Sequence, residues 1–204
     1  MRDSVNERVY ASVKRAITSG TIVPGIRIDA SLLASTLNSS LTPVRMALNR
    51  LAGERLVEVH ANEGFYMPRV TEPGLRDLYE WNLHLSHTSL RVRPDTPQLK
   101  FDLSELRAVA ASDIVSATEL LFSAIGRLSS NAEMMMAIAA CNDRLRAVRH
   151  LKNGMIADRE SELTELADLL ERGDFVSLSK ALIPYHKKRK DTVPWLVKRL
   201  HDLQ

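Results

Sequence analysis

One proline restricts how residues 32 to 66 can fold. Pro43 has no backbone N–H, so within a helix it is tolerated only in the first turn. Its setting is LLASTLNSSLTPVRMALNRLAGERLVEVHANEGFY. Val44, Leu48 and Leu51 follow at i, i+4 and i+7, an apolar stripe of helical period. Ahead of the proline, Leu32, Leu33 and Leu37 put an apolar face on a shorter helix, and Asn38, Ser39 and Ser40 interrupt it as small polar turn formers do. Ser40 or Thr42 can cap the second helix, expected over 42–54, by accepting from its free N–H groups. Leu56-Val57-Glu58-Val59 then reads as a strand, Ala61-Asn62-Glu63-Gly64 as a turn and Phe65-Tyr66-Met67 as the returning strand. Gly64 can supply a positive φ.

Helix, turn, helix and a two-stranded wing is the order of a winged helix-turn-helix, a device that sets its second helix into a DNA major groove. Arg45, Met46, Asn49 and Arg50 lie off the apolar stripe. A first turn rich in hydroxyls with an arginine one turn in suits contact with phosphates and base edges. The candidate DNA contacts are therefore Ser40, Thr42, Pro43, Arg45 and Asn49 from the helix, with Asn62 and Gly64 from the wing. Leu33, Leu37, Leu48 and Leu51 read as core. Charge agrees with this placement. Residues 1 to 70 hold nine Lys/Arg against six Asp/Glu, a difference of +3, and residues 71 to 204 hold nineteen of each. The net excess sits on the segment expected to meet phosphate.

The motifs SGTIVPGIRID, LLASTLN, SSLTPVRMALNRL, ERLVEV and NEGFY, in this order and spacing, resemble the N-terminal domain of the GntR family of transcription regulators. The resemblance covers about residues 5 to 69 and is carried most specifically by Ser40 to Arg45. It implies DNA binding. Leu41 stands where the family usually has an arginine that reads a base, Met46 replaces a common glutamate, and the wing carries Asn62-Glu63-Gly64 where basic residues often precede the glycine.

The rest of the chain bounds the setting. No stretch approaches the roughly 18 apolar residues of a membrane span, no apolar leader is visible at the N-terminus, and Cys141 is the one cysteine, so no intrachain disulfide can form. A reduced cytoplasmic setting and no membrane partner are expected.

A first helix is expected over 5–19, ended by Gly20, with a short extended piece from Ile22 to Pro24-Gly25. Pro68 to Gly74 reads as the connection between two domains: residues 1–70, DNA-binding, and residues 71–204, effector-binding and dimerising. After it everything reads as helix. Leu75, Leu78, Tyr79, Asn82 and Ser86 line a helix ending near Arg91, and Arg93-Pro94-Asp95-Thr96-Pro97 is a loop. Ser104 is expected to cap one long helix to Leu128, and Ser129-Ser130-Asn131 to break it. Further helices are expected over 132–151, stopped by Asn153-Gly154, over 155–172, and over 175–200 with a kink at Pro184 and a break at Pro194. The fold class is thus mainly α: an N-terminal winged helix-turn-helix followed by an all-helical bundle.

That arrangement resembles the FadR/VanR subfamily, on the looser evidence of LLFSAIGRLSSN (120 to 131) and ELTELADLLERGDFVSLSKALIPYH (162 to 186). The resemblance implies a bundle that dimerises and binds a small organic acid, often beside a metal held by an aspartate and three histidines. Those positions fall on Thr118, Phe122, Leu163 and His186, and one imidazole cannot hold an ion that wants about four ligands. No metal and no other cofactor is expected. A slip of one turn would recruit His84, His87 or His150. The arginine and glutamate that commonly open the bundle map onto Asn82 and Ser86, so the pocket is expected to be rebuilt or closed. His84, His87 and His186 are the candidate effector ligands; the plainer reading of each is a polar side chain on a helix surface. His186-Lys187-Lys188-Arg189-Lys190 reads as a solvated helix end rather than a second phosphate contact, and Met134-Met135-Met136 as adaptable core or dimer packing.

No Gly-rich phosphate loop, nucleophile elbow or triad-like pairing is present, and carboxylate–histidine pairs at helix spacing are scarce, so no enzyme is expected. The reading is a homodimeric transcription regulator, by default a repressor, on a palindromic double-stranded operator. The alternative is a ligand-binding or interaction module whose winged helix, with Leu41 and Glu63, has lost specific DNA binding.

Overall fold

The computed structural model describes residues 5–92, 103–151 and 154–202. The loop expected at 93–97 and Asn153 lie outside the described residues. The elements are α1 (Val5–Thr18), β1 (Arg27–Ile28), α2 (Ala30–Thr36), α3 (Leu41–Gly53), β2 (Glu58–His60), β3 (Gly64–Tyr66), α4 (Glu72–Arg91), α5 (Ser104–Ala110), α6 (Ile114–Arg127), α7 (Ala132–Leu151), α8 (Arg159–Glu171), α9 (Phe175–Asp191) and α10 (Val193–His201). Helices dominate, with one small winged sheet. Among the described residues no helix is long and apolar enough to cross a membrane.

Two hydrophobic cores form. In the first, Val9, Val13 and Ile17 of α1 meet Val44, Ala47, Leu48 and Leu51 of α3, with Ile28, Leu56, Val57 and Met67 closing the base of the wing. The apolar stripe behind Pro43 is thus the inner face of α3. Leu33 and Leu37 pack against this core, but Leu32 is 63% exposed and Ala34 takes the buried place on α2. Helix α2 also begins earlier than its leucines suggest, because Asp29 accepts from the N–H groups of Ser31 and Leu32 and so satisfies orphan donors of the first turn. Ser40 occupies the N-cap position of α3 without a side-chain cap bond.

The sheet has the order β1-β3-β2, all antiparallel, with Val59 opposite Phe65 and Ile28 opposite Phe65 on the other side. The extended piece expected before Pro24-Gly25 comes after it: Gly25 turns the chain at φ 85°, and β1 is Arg27–Ile28. Leu56 and Val57 are buried approach residues rather than strand, so β2 starts at Glu58. Strands this short are not stable alone; bonds from Gly25 N to Met67 O and from Met67 N to Ile26 O hold them to the core.

The second core is the helical bundle. Helix α4 is its axis, packing on α6, α7, α9 and α10. It starts at Glu72, where Thr71 accepts from Gly74 N, with Pro73 in the first turn. The single helix expected from Ser104 to Leu128 is two. Helix α5 ends at Ala110, and Asp113 restarts the chain by accepting from the N–H groups of Val115 and Ser116. Residues 155–158 are also not helical; α8 begins at Arg159 after Asp158 in a left-handed conformation. Helix α9 runs through Pro184, and the break falls at Thr192, with Pro194 in the first turn of α10.

The two cores touch where α1 meets α7. Lys14 reaches Asp143 at 2.6 Å and Glu54 at 3.0 Å. The backbones come close there: a Cβ built on Gly20 would lie 3.1 Å from His150 Cβ and 3.4 Å from the Ala147 carbonyl.

Asp113→Ala tests what ends α5 and starts α6. Burial disfavours the charged carboxylate, but bonds from Ser116 and Val115 outweigh it and hold the pKa below the usual range. A depressed carboxylate contributes stability above its unfolded pKa, near 4, and loses it as pH falls through the folded value. The substitution should cost about 1 kcal/mol in urea melts at pH 7. The difference should vanish in strongly acidic buffer.

Candidate nucleic-acid interface and bundle interior

With its apolar stripe buried, α3 turns Thr42, Arg45, Met46 and Asn49 to solvent, one face at i, i+3, i+4 and i+7. Ser40 is exposed at its head, Pro43 half-buried, and Leu41 half-buried in the first turn. Among the described residues Arg45 makes no side-chain hydrogen bond or ion pair, so its guanidinium is available. Asn49 Nδ2 donates back to the Arg45 carbonyl at 3.0 Å, leaving the amide's other N–H and its oxygen. Met46, 56% exposed, adds an apolar contact of the kind a thymine methyl accepts. Arg50 belongs to the fold: it bonds Glu7 at 2.9 Å and stacks 3.7 Å over Tyr10.

The wing is built on two left-handed residues, Asn62 at φ 63° and Gly64 at φ 105°. At Gly64 the conformation, not space, requires glycine, since an added Cβ would meet only the Arg27 guanidinium at an ordinary 3.6 Å. Sequence reasoning missed Arg27. It lies on β1 opposite Tyr66 and brings an exposed positive charge to the wing; a two-residue strand gives no periodicity to find it by. Also missed was the stacking of His60 on Tyr66, with ring centroids 4.4 Å apart. His60 sits 3.5 Å from Glu58 and 3.6 Å from Glu63. The wing tip is therefore carboxylate-flanked, while the positive charge lies on α3 and β1.

In the bundle, the structure does not bring His84, His87 and His186 together. His84 is exposed on α4, with Nδ1 2.8 Å from the Glu80 carbonyl. His87 meets the Ser179 carbonyl at 2.9 Å and ties α4 to α9. These two share an open outer groove with Arg91 and Lys180. His186 is fully buried on the inside of α9. His150 lies elsewhere, against Gly20.

The basic run at 186–190 is not a solvated helix end. Arg189 is buried and bonds Glu162 at 2.8 Å, Lys188 bonds the same carboxylate at 2.8 Å, and Lys190 pairs with Glu80. Only Lys187 faces water in full. Of the methionine row, Met134 is half-buried, while Met135 and Met136 are exposed by 36% and 57%.

Around His186 stand Asn82, Thr118, Phe122 and three arginines. The Phe122 ring crosses the imidazole edge-on at 5.7 Å, and Thr118 Oγ1 donates to Ile114 O. His186 Nδ1 is 2.8 Å from the Leu182 carbonyl, and Nε2 is 3.0 Å from Asn82 Oδ1. Burial first, and then the charges of Arg189 and Arg149, push the imidazole down to about 3. It is neutral and has one N–H, which cannot serve two acceptors. Asn82 Nδ2 has no partner. Turning the Asn82 amide about its axis satisfies all three groups: Nδ1–H donates to Leu182, and Nδ2–H donates to Nε2. Both ring nitrogens are then engaged. With Thr118 committed and Phe122 and Leu163 apolar, these donors do not fit a divalent cation. Among the described residues no group of three His, Cys, Asp or Glu could hold one.

What remains is a cavity of about 20 Å³ bordered by Asn82, Thr118, His186, Arg149, Arg159 and Arg189, room for about one water. Arg149 gives both terminal nitrogens to Asn142 Oδ1 at 3.1 Å. Burial, with added pressure from Arg189 and Arg149, lowers the Arg159 pKa. Burial raises the Tyr79 phenol to about 12, so it stays a neutral hydroxyl. Three guanidinium groups thus border this space, Arg189 already paired with Glu162 and Arg149 3.7 Å from Glu119.

Residues 5–67 match a family profile described as "Bacterial regulatory proteins, gntR family". The chain is 32% identical over 136 residues to the Nta operon transcriptional regulator of Aminobacter aminovorans, covering 62% of this chain and 64% of that protein. It is 33% identical over 106 residues to the HTH-type transcriptional regulator McbR of Escherichia coli K12, covering 51% of this chain and 47% of that one. The chain thus spans less than two thirds of the first of these relatives and about half of the second. Two solved structures share the fold. A transcriptional regulator GntR from Rhodococcus sp. RHA1 superposes with a TM-score of 0.78 at 20% identity, over 93% of this chain and 97% of that one. Escherichia coli McbR/YncC does so with 0.73 at 23% identity, over 97% and 99%.

The neutral His186 gives a pH signature. Below about pH 6.5 the unfolded chain protonates this residue, while the folded chain resists until about pH 3. Stability is therefore present above that window and lost as pH falls through it, by up to about 1.4 kcal/mol per pH unit. Urea titrations from pH 6.5 to 4 should give a shallower decline for His186→Gln than for the parent; equal slopes would contradict the burial of a neutral imidazole.

Proposed function

We propose that the chain is a DNA-binding transcription regulator of the GntR family, acting in the cytoplasm as a homodimer with a bundle of the FadR/VanR kind. The observation that carries this reading is the α3 face of Thr42, Arg45, Met46 and Asn49, exposed beside a glycine-turned wing within the matched segment 5–67. Arg45 is the main base or phosphate contact. Ser40, Thr42 and Pro43 set the head of α3 against the backbone, Asn49 reads a base edge, and Asn62 and Gly64 bring the wing to an adjacent phosphate or minor groove.

Two copies of the unit at residues 1–70 would read the halves of a palindromic operator, and repression is the default outcome. Pairing through residues 71–204 is supported by large apolar side chains left in water, among them Trp81, Ile183 and Trp195, each more than half exposed. A small organic acid would act as effector by occupying the arginine-bordered interior around His186, which must widen to admit it. Such a ligand shifts the separation of the two α3 helices only through unequal affinity for the two arrangements. His84 and His87 line the outer groove and not that interior, and would serve a ligand there.

A second reading has its own observation. Glu58 and Glu63 flank the wing and Leu41 is half-buried where a base-reading side chain would stand, which favours an interaction module without specific DNA binding.

Arg45→Ala separates the two. On a fragment from the protein's own promoter region it should weaken binding by about 1–3 kcal/mol, with helical circular dichroism unchanged. Glu63→Lys should strengthen binding and steepen the salt dependence by about 0.9 in log–log slope. Retention of no genomic fragment at low salt selects the second reading, and unchanged affinity in Arg45→Ala removes Arg45 from the interface.

A further inference from the structure

A mainly apolar space lies between the two cores, apart from the α3 face, the wing and the interior around His186. It is a half-open cleft of about 160 Å³, close to the size of an engineered cavity that takes up benzene. Ile17 and Leu56 of the winged unit form one wall, and Leu78 and Val148 of the bundle the other. Its mouth has a different chemistry. Arg55, Arg69 and Arg144 border it, and among the described residues none of the three makes a side-chain hydrogen bond or ion pair. Asp143, also at the border, is held by Lys14 at 2.6 Å. Arg55 occupies its place at φ 60°, a left-handed conformation unfavourable to arginine.

An apolar chamber of ring size behind three uncommitted guanidinium groups selects a particular chemistry. The body must be apolar to displace nothing polar from the walls. The head must be an anion, and a carboxylate matches the guanidinium fork with two parallel bonds. We propose that this cleft is a small-molecule site for a ring-sized apolar carboxylic acid. The acid lies across the joint between α1 and α7, so its occupancy stiffens the angle at which α3 is presented. This site is separate from the interior around His186, and its ligand binding does not depend on the DNA-binding reading.

The test is calorimetric titration of the full chain with benzoate and with its neutral isostere benzamide at low salt. One benzoate should bind per chain, with benzamide roughly tenfold weaker or worse. Arg144→Ala should weaken benzoate and leave benzamide unaltered. Val70→Trp, from the connection that lines the cleft, should abolish both while keeping the parent's circular dichroism. If that variant does not fold, the paired exposed change Arg55→Ala and Arg69→Ala supplies the same test, with loss of the preference for benzoate over benzamide expected. The inference is overturned by absence of saturable benzoate binding, by equal affinity for benzamide, or by benzoate binding that survives Val70→Trp. Loss in Arg159→Ala with retention in Arg144→Ala would move the acid to the bundle interior and equally overturn it. Failure to bind DNA would count against the regulator reading and leaves these outcomes as they stand.

Discussion

Lys14 sits at the joint on which the arrangement of the chain depends. Its ammonium bonds Glu54, just past the end of α3, and Asp143 on α7. It thus touches the two ends of a lever whose arm is α1. Burial works against the charge, but the bonds to Asp143 and Glu54 more than compensate and raise its pKa. The joint therefore stays charged across the physiological range and is not a pH switch. An ion pair this exposed contributes modestly alone. Its role is positional, because Gly20 lets the end of α1 approach the α7 backbone and fixes where the pair can form. Helix α3 packs on α1, so any change in the α1–α7 angle is inherited by the face that carries Arg45.

The bundle interior follows a different logic. In a metal centre, a cation gathers carboxylate and imidazole ligands. The positions that the FadR/VanR resemblance would give to such ligands hold Thr118, Phe122, Leu163 and a neutral His186, and arginines from α7, α8 and α9 border the same interior. Two of these guanidinium groups are anchored by side-chain partners, Arg149 by Asn142 and Arg189 by Glu162. Buried charges persist only when so paired. The result is an interior in which guanidinium groups, not carboxylates, border the remaining space.

The parts legible in the sequence are those set by strong local chemistry. Pro43 with Val44, Leu48 and Leu51 located α3 to within a residue, and Gly64 located the wing turn. Helix α7 was legible because two clear breaks bound it. What was missed depends on contacts distant in sequence. Strand β1 is two residues long and exists because it pairs with β3. The break between α5 and α6 falls in Ala110-Ala111-Ser112-Asp113, where good helix formers conceal a cap. Leu32 shares the apolar face of α2 in the sequence, but spacing does not say how far each leucine of that face is buried; the packing of α2 on α3 decides, and Leu32 stays in water. The run after His186 looked solvated because its partners, Glu80 and Glu162, lie on other helices.

Charge sums conceal the same kind of information. The net +3 of residues 1 to 70 does not reside on the wing, where Glu58 and Glu63 face His60. Its exposed carriers are Arg45 on α3, Arg27 on β1, Arg8 and Arg15 on α1, and Arg55 and Arg69 near the joint, whereas Arg50 and Lys14 are engaged by the fold. A wing that repels phosphate and a helix that attracts it should tilt the module toward insertion of α3. On the proposed DNA-binding reading, affinity would rest on fewer ionic contacts than a basic wing would give, and sequence discrimination on the Arg45, Met46 and Asn49 face. The bundle, neutral in sum, concentrates arginines in its interior for the same reason: placement on particular helix faces, rather than total charge, determines what each surface can bind.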